Sequence, residues 1–217
     1  MGGTLAAPVD LLGRAAAVAS GEAVETTELV RGWSLKSIEP QAELTAEILS
    51  EAGRAAAADG WLPVAAMPAM VHDVLLAHGK IEEPWLPDGT AKCFWTRDRD
   101  WVYAVKFSPR PGRVSRLRLL GLDGRAEVYL NGERVASHSD EHAPLTVEVS
   151  QKLRPENSLV LRFRSNAGKS EEGASEAGRQ RPGGSYLGPN PPLASVGIFG
   201  FNRSMTSRNL LIRRISE

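Results

Sequence analysis

The segment Gly121 to Gly132, GLDGRAEVYLNG, leaves the backbone few choices. Ala126, Val128 and Leu130 alternate with Arg125, Glu127 and Tyr129, the period-two pattern of a strand with one apolar and one wetter face. Asn131-Gly132 follows directly. Both residue types accept positive φ, so the pair fits the two-residue primed turn whose twist suits antiparallel strands. Glu133-Arg134-Val135 then starts a return strand, and the reading is a β-hairpin.

The same grammar recurs along much of the chain. Trp101 to Ser108, Val114 to Leu120, Leu145 to Val149 and Leu159 to Arg164 read as strands, and Arg208 to Ile215 as a final one. Pro109-Arg110-Pro111-Gly112, Leu122-Asp123-Gly124 and Arg154-Pro155-Glu156-Asn157 punctuate them. Short strands separated by such turns indicate a β-sandwich or barrel. Before them, Trp33, Leu35 and Ile38 suit a first strand ended by Pro40.

Two helices are expected in the first half. Over Glu43 to Asp59, Leu44, Ile48, Leu49, Ala52, Ala55 and Ala56 recur at helical spacing, with Gly60 as the cap. A shorter helix should start at Pro68 and run to about His78, with Val71, Val74 and Leu75 on its apolar side and Gly79 after its last turn. Residues 1 to 30 read as an N-terminal appendage containing a short helix around Leu11 to Ala19. Asn166 to Pro192 is rich in Gly, Ser, Glu, Arg and Pro and nearly devoid of apolar residues, so it reads as a long polar loop. The expected layout is an appendage over 1–30 and a sandwich domain over 31–217, carrying a helical insertion at 43–59 and the polar loop at 166–192.

Charge and cysteine usage narrow the partners. Twenty-six basic and 26 acidic residues cancel, so no net field favours nucleic acid or an anionic membrane as a partner. No segment is long and apolar enough to span a bilayer as a helix. Cys93 is the single cysteine, which excludes an intrachain disulfide and a cysteine-based zinc cluster. Ala17-Val18-Ala19-Ser20 looks like a signal-peptidase site, yet Arg14 interrupts the apolar run and no basic residue precedes it, contrary to a secretory signal.

Four stretches in order carry a resemblance: Trp61 to Pro84 (WLPVAAMPAMVHDVLLAHGKIEEP), Asp100 to Phe107 (DWVYAVKF), the GLDGRAEVYLNGERVASH run from Gly121, and Val196 to Phe199 (VGIF). Together they resemble the N-terminal sugar-binding domain of glycoside hydrolase family 2 enzymes, β-mannosidases and β-galactosidases above all. The resemblance implies a mainly β fold, a jelly-roll sandwich of the galactose-binding type, with one or two peripheral helices. It also implies that the catalytic glutamates lie in a separate barrel of roughly 250 residues, so this chain by itself carries no catalytic residue and no cofactor. Three departures stand out. Ala69 replaces a usual glycine, Ser137 to His142 is polar where the family has a loop reading roughly Ser-x-Asn-Met-Phe, and Leu193 to Asn202 lacks the Trp-Asp-Trp-Gly-like sequence that meets the sugar in β-mannosidases.

Aromatic rings stack on sugar faces while amides and carboxylates bind hydroxyls. Trp85 with Asp88, and Tyr186 with Asn190, are therefore the expected carbohydrate-binding pairs, each weighed against simple loop anchoring. Trp61, Trp95 and Trp101 are read as packing residues and His72 as a hydrogen-bonded structural histidine. His138, Asp140 and His142 alternate as a metal site would require, but a polar loop after the hairpin is the simpler explanation, and no metal is expected. No Gly-Lys-Ser/Thr phosphate loop and no Gly-x-Ser-x-Gly elbow is present. The expected function is a non-catalytic accessory domain that packs on a glycosidase barrel and borders its sugar pocket. The alternative is a stand-alone carbohydrate-binding or protein-interaction module, with an autonomous small glycosidase in third place.

Overall fold

A computed structural model describes residues 23–56, 59–84, 89–109, 114–140, 143–165, 197–198 and 210–216. In chain order its strands are β1 (Ala23–Glu28), β2 (Trp33–Ile38), β3 (Leu62–Pro63), β4 (Ala69–Met70), β5 (Asp100–Phe107), β6 (Val114–Leu119), β7 (Leu122–Asp123), β8 (Ala126–Leu130), β9 (Glu133–His138), β10 (Leu145–Glu148), β11 (Asn157–Phe163), β12 (Gly197–Ile198) and β13 (Leu210–Ser216). The helices are short: α1 (Ala46–Leu49), α2 (Glu51–Ala56), α3 (Val71–Ala77) and α4 (Gly89–Lys92), with a 3₁₀ turn over Phe94–Asp98.

The hairpin forms as its sequence demands. Leu130 pairs with Glu133, and Asn131 and Gly132 take φ of 53° and 88°, both positive as a type I′ turn requires. The Asn131 side chain then fastens the turn to the start of β11 and the turn before it: its amide donates to Lys152 O (2.8 Å) and to Asn157 Oδ1 (2.9 Å), and its carbonyl accepts Ser158 N–H (3.0 Å).

Two antiparallel sheets face each other across the core. The larger has the order β3-β2-β5-β11-β8-β9, the smaller β1-β13-β6-β10. Trp101, Tyr103 and Val105 of β5, Leu159, Leu161 and Phe163 of β11, and Ala126, Val128 and Leu130 of β8 meet Leu117 and Leu119 of β6 in one apolar cluster. The central strands β5 and β11 are covered on their other face too. There Val102, Ala104 and Val160 pack under Leu44, Ile48, Leu49 and Trp61, so every residue of β11 is buried, the pattern of a strand enclosed on both sides.

The long helix expected over Glu43 to Asp59 is instead two short ones. Ser50 is extended (φ −107°, ψ 153°), and its hydroxyl accepts Gly53 N–H at 3.0 Å. Serine thus acts as an N-cap that restarts the helix, the local competition with helix interior that small polar side chains exert. The second helix begins at Val71 rather than Pro68, because Ala69–Met70 is a strand and Asp73 accepts Met70 N–H at 3.2 Å to cap α3. Its far end closes as expected of glycine: Gly79 has φ 62°, Gly79 N–H reaches Leu76 O (3.0 Å) and Lys80 N–H reaches Leu75 O (2.9 Å), the Schellman pairing. The stretch read as an appendage contributes β1, whose Ala23 to Glu28 pair with Ser216 to Leu211 of β13. The short helix expected around Leu11 to Ala19, the whole polar loop Asn166 to Pro192 and residues 57–58 near the end of the expected helix lie outside the described residues, whereas the expected cap Gly60 is described with φ 78°.

Candidate functional site

Three of the four motif stretches meet at one corner of the sandwich. β12, from VGIF, lies between β4, from the PAMVH segment, and β7, from GLD: Gly197 pairs with Met70 and Asp123, and Ile198 with Ala69 and Leu122. The fourth stretch supports them from below. Tyr103 of β5 is fully buried, and its hydroxyl donates to Ala69 O at 2.9 Å. Burial, and then the charge of Asp73, hold the Tyr103 phenol well above its ordinary pKa, so it remains a donor.

The same corner carries α3 and the 3₁₀ turn. His72 Nε2 lies 2.9 Å from Thr96 Oγ1. Thr96 already donates its hydroxyl proton to Cys93 O (2.8 Å), so His72 supplies the proton of the shared bond as the Nε2–H tautomer. Burial lowers the His72 pKa against a smaller opposing influence from Asp73, which favours this neutral form. Trp101 is buried and donates from Nε1 to Thr96 O (2.7 Å). Trp95, read as a packing residue, does rest on Trp101 at 5.9 Å between ring centroids, and it is also 41% exposed. Leu76 of α3 is 38% exposed.

A second feature is a polar cavity of about 600 Å³ at the end of the larger sheet, where β5 and β8 begin and β9 and β11 finish. Asp100, Arg125, Glu127, His138 and Arg164 supply its charged or titratable walls, with Ser137, Ser139 and Ser165 between them. Asp100 is fully buried and saturated with donors: Arg162 Nε at 2.8 Å and the adjacent Arg162 Nη2, Ser165 N–H at 2.7 Å and Gln41 N–H at 3.3 Å. Glu127 accepts Arg164 Nη2 at 3.0 Å and the Tyr129 hydroxyl at 3.1 Å, with Arg134 Nη1 at 3.5 Å and Arg162 Nη1 at 4.0 Å. Burial and the Glu127 charge push the Tyr129 phenol up, which keeps it a donor. The face of β8 read as wet is therefore covered, because arginines of β9 and β11 converge on Glu127.

Residues 33–196 match the family described as glycosyl hydrolase 2 galactose-binding domain-like. The chain belongs to this family. Among curated proteins it is 26% identical over 136 residues to beta-mannosidase B of Neosartorya fischeri, covering 61% of this chain and 14% of that protein. It is 33% identical over 107 residues to beta-mannosidase B of Thermothelomyces thermophilus, covering 48% of this chain and 12% of that one. The chain thus spans a small part of the length of the relatives it matches. Two solved structures share its fold: the beta-D-mannosidase of Dictyoglomus thermophilum (TM-score 0.62, 21% identity, 88% of this chain and 22% of that one) and the exo-chitosanase of Amycolatopsis orientalis (TM-score 0.64, 18% identity, 88% and 21%).

In this galactose-binding-like domain of the glycosyl hydrolase 2 family, the antiparallel sandwich is the jelly-roll type that the motif stretches imply. Of the residues expected to contact carbohydrate, Trp85, Asp88, Tyr186 and Asn190 all lie outside the described residues. In the sequence Trp85 and Asp88 precede Gly89, the first residue of α4. His138 lies in β9 opposite Ala126, Asp140 follows the strand, and His142 is outside the described residues. Among the described residues no three His, Cys, Asp or Glu side chains gather as a metal would need. The Asp100, Glu127, Arg162 and Arg164 cluster was not anticipated. Its one sequence signature is a charge, Arg162, set inside the otherwise apolar LVLRF of β11.

Proposed function

We propose that this chain is the non-catalytic accessory domain of a family 2 glycoside hydrolase, and that its motif corner packs on a catalytic barrel and borders the sugar pocket there. The observation that carries the reading is the placement of exposed apolar groups. Among the described residues the large hydrophobic side chains left exposed are Leu76 and Trp95, and both belong to the segment that flanks the β4-β12-β7 corner. Exposed apolar groups on an otherwise well-packed domain mark contact surfaces, and a half-exposed tryptophan suits either a neighbouring domain or the face of a sugar ring. Trp85 with Asp88, and Tyr186 with Asn190, are the proposed carbohydrate contacts. The carboxyl pair that glycoside hydrolysis needs is assigned to the barrel, in keeping with the small share of its beta-mannosidase relatives that this chain spans.

The test begins with the intact mass of the native protein in its source, detected through this chain. A species heavier than 23.4 kDa by at least a barrel of roughly 250 residues is expected. In that enzyme, Trp95→Ala and Trp85→Ala should impair hydrolysis of β-mannosides while leaving the thermal unfolding of this domain in place. A native mass near 23.4 kDa, with no glycosidase co-purifying, would overturn the reading and make sugar binding by the free domain the leading alternative.

A further inference from the structure

Asn131 carries a chemical liability as well as a turn. It is followed by Gly132, whereas Asn157, Asn166, Asn190, Asn202 and Asn209 precede other residues. Glycine brings no side chain to hinder attack by its backbone nitrogen on the asparagine Cγ. A bond from Gly132 N to Asn131 Cγ closes a five-membered imide, and ammonia leaves with the proton of the attacking amide. Water then opens the imide at either carbonyl, leaving aspartate or isoaspartate at 131. The net change turns a neutral amide into a carboxylate.

The fold blocks this route twice. Asn131 has φ 53°, in the left-handed region where ψ is positive too. That ψ sets the Gly132 nitrogen nearly opposite Cβ across the Cα–C bond, whereas imide closure needs the two on the same side. The side chain is also pinned. Ser158 N–H donates to Oδ1 (3.0 Å), while Nδ2 donates to Lys152 O (2.8 Å) and Asn157 Oδ1 (2.9 Å). Reaching the reactive geometry means breaking these bonds and undoing the turn.

The same contacts make the product a misfit. Lys152 O is a carbonyl and only accepts. Asn157 cannot turn its amide to donate instead, because its Oδ1 accepts Arg154 N–H (2.8 Å) and its Nδ2 donates to Arg154 O (2.6 Å). An aspartate oxygen in place of Nδ2 faces two acceptors, and isoaspartate adds a methylene to the backbone of a two-residue turn. We propose that Asn131 is a deamidation site, protected in the folded chain and exposed by unfolding, and that the modified chain refolds to a less stable domain. Unfolding thereby becomes irreversible with time, whether or not a catalytic barrel is attached.

The full 217-residue chain, held at mildly alkaline pH with and without denaturing guanidinium chloride, tests this. Mass mapping follows the tryptic peptide Ala126 to Arg134, in which deamidation of Asn131 raises the mass. Conversion should run at least about tenfold faster in denaturant than in buffer, because the folded chain reacts only when the turn opens. Chains aged in denaturant and then refolded should unfold at a lower denaturant midpoint than freshly refolded ones. An Asn131→Gly chain aged in the same way should keep its own midpoint, which assigns the loss to this residue. Asn131→Asp carries one product directly and should show the lower midpoint; the mapping does not depend on that variant folding. Equal rates with and without denaturant, an Asn131 that survives in denaturant, an aged chain or Asn131→Asp with the fresh wild-type midpoint, or an Asn131→Gly chain that loses as much on ageing would overturn the proposal.

Discussion

The Tyr103 hydroxyl donates to Ala69 O at 2.9 Å, and this one bond ties the central strand of the larger sheet to the corner built from the other motif stretches. Tyr103 also packs edge-on against Phe163, with ring centroids 5.7 Å apart, so its ring is positioned independently of the bond. Tyr103→Phe should keep the packing and lose the donor. The expected cost is about 1–2 kcal/mol, read as a lower denaturation midpoint with an unchanged m-value. No change in the midpoint would show that the bond does not hold the corner.

Gly197 is the more severe constraint at the same place. Its φ of 137° suits glycine alone, and a Cβ there would sit 2.9 Å from Tyr103 Oη and 3.0 Å from Met70 Cα. Gly197→Ala should therefore destabilise by at least about 2 kcal/mol and disturb the surface around Trp95. Thermal unfolding measures the first effect and tryptophan fluorescence the second.

Asp100 and Arg162 form a pair with both side chains almost wholly buried. Arg162→Met strands a buried carboxylate and should cost about 3–5 kcal/mol. Adding Asp100→Leu removes the stranded charge, so the double variant should be more stable than Arg162→Met alone. A double-mutant cycle with additive costs would contradict the coupling.

Asn131 serves two purposes, and they can be separated. Asn131→Gly preserves the positive φ of the turn but removes the three side-chain bonds to Lys152, Asn157 and Ser158. It should lower stability by about 1–3 kcal/mol, with the hairpin amides exchanging faster by hydrogen exchange. A neutral result would reduce the role of Asn131 to turn geometry.

His72 predicts a pH response. Its folded pKa lies below the ordinary 6.5 because of burial, so between the two values the unfolded chain binds more protons and stability rises with pH. The full contribution is present above about 6.5 and is lost as pH falls toward the depressed folded value. Urea midpoints at pH 7.5 and pH 5 should differ more for the native chain than for His72→Gln. Equal differences would remove His72 as the source.

Much of the architecture was legible because its causes are local. The alternation over Arg125 to Leu130, followed by Asn131-Gly132, specifies a hairpin through φ preferences and a two-residue period that need no distant partner. Gly79 likewise ends α3 by its own backbone freedom. Where the sequence misled, the deciding partner was far along the chain. Glu127 alternates with apolar residues as a solvent-facing charge should, yet it is buried because Arg162 of β11 and Arg164 just after it arrive some 35 residues later. Trp95 and Trp101 are both packing residues by type, but Trp101 fills the interior position and Trp95, resting on it, stays partly outside. Which residues have a strand's local geometry is thus determined by the sequence itself. Which charges share a buried pocket, and which tryptophan stays in contact with water, is decided only when the two sheets and the corner close, because burial and electrostatic pairing depend on neighbours that tertiary packing alone brings together.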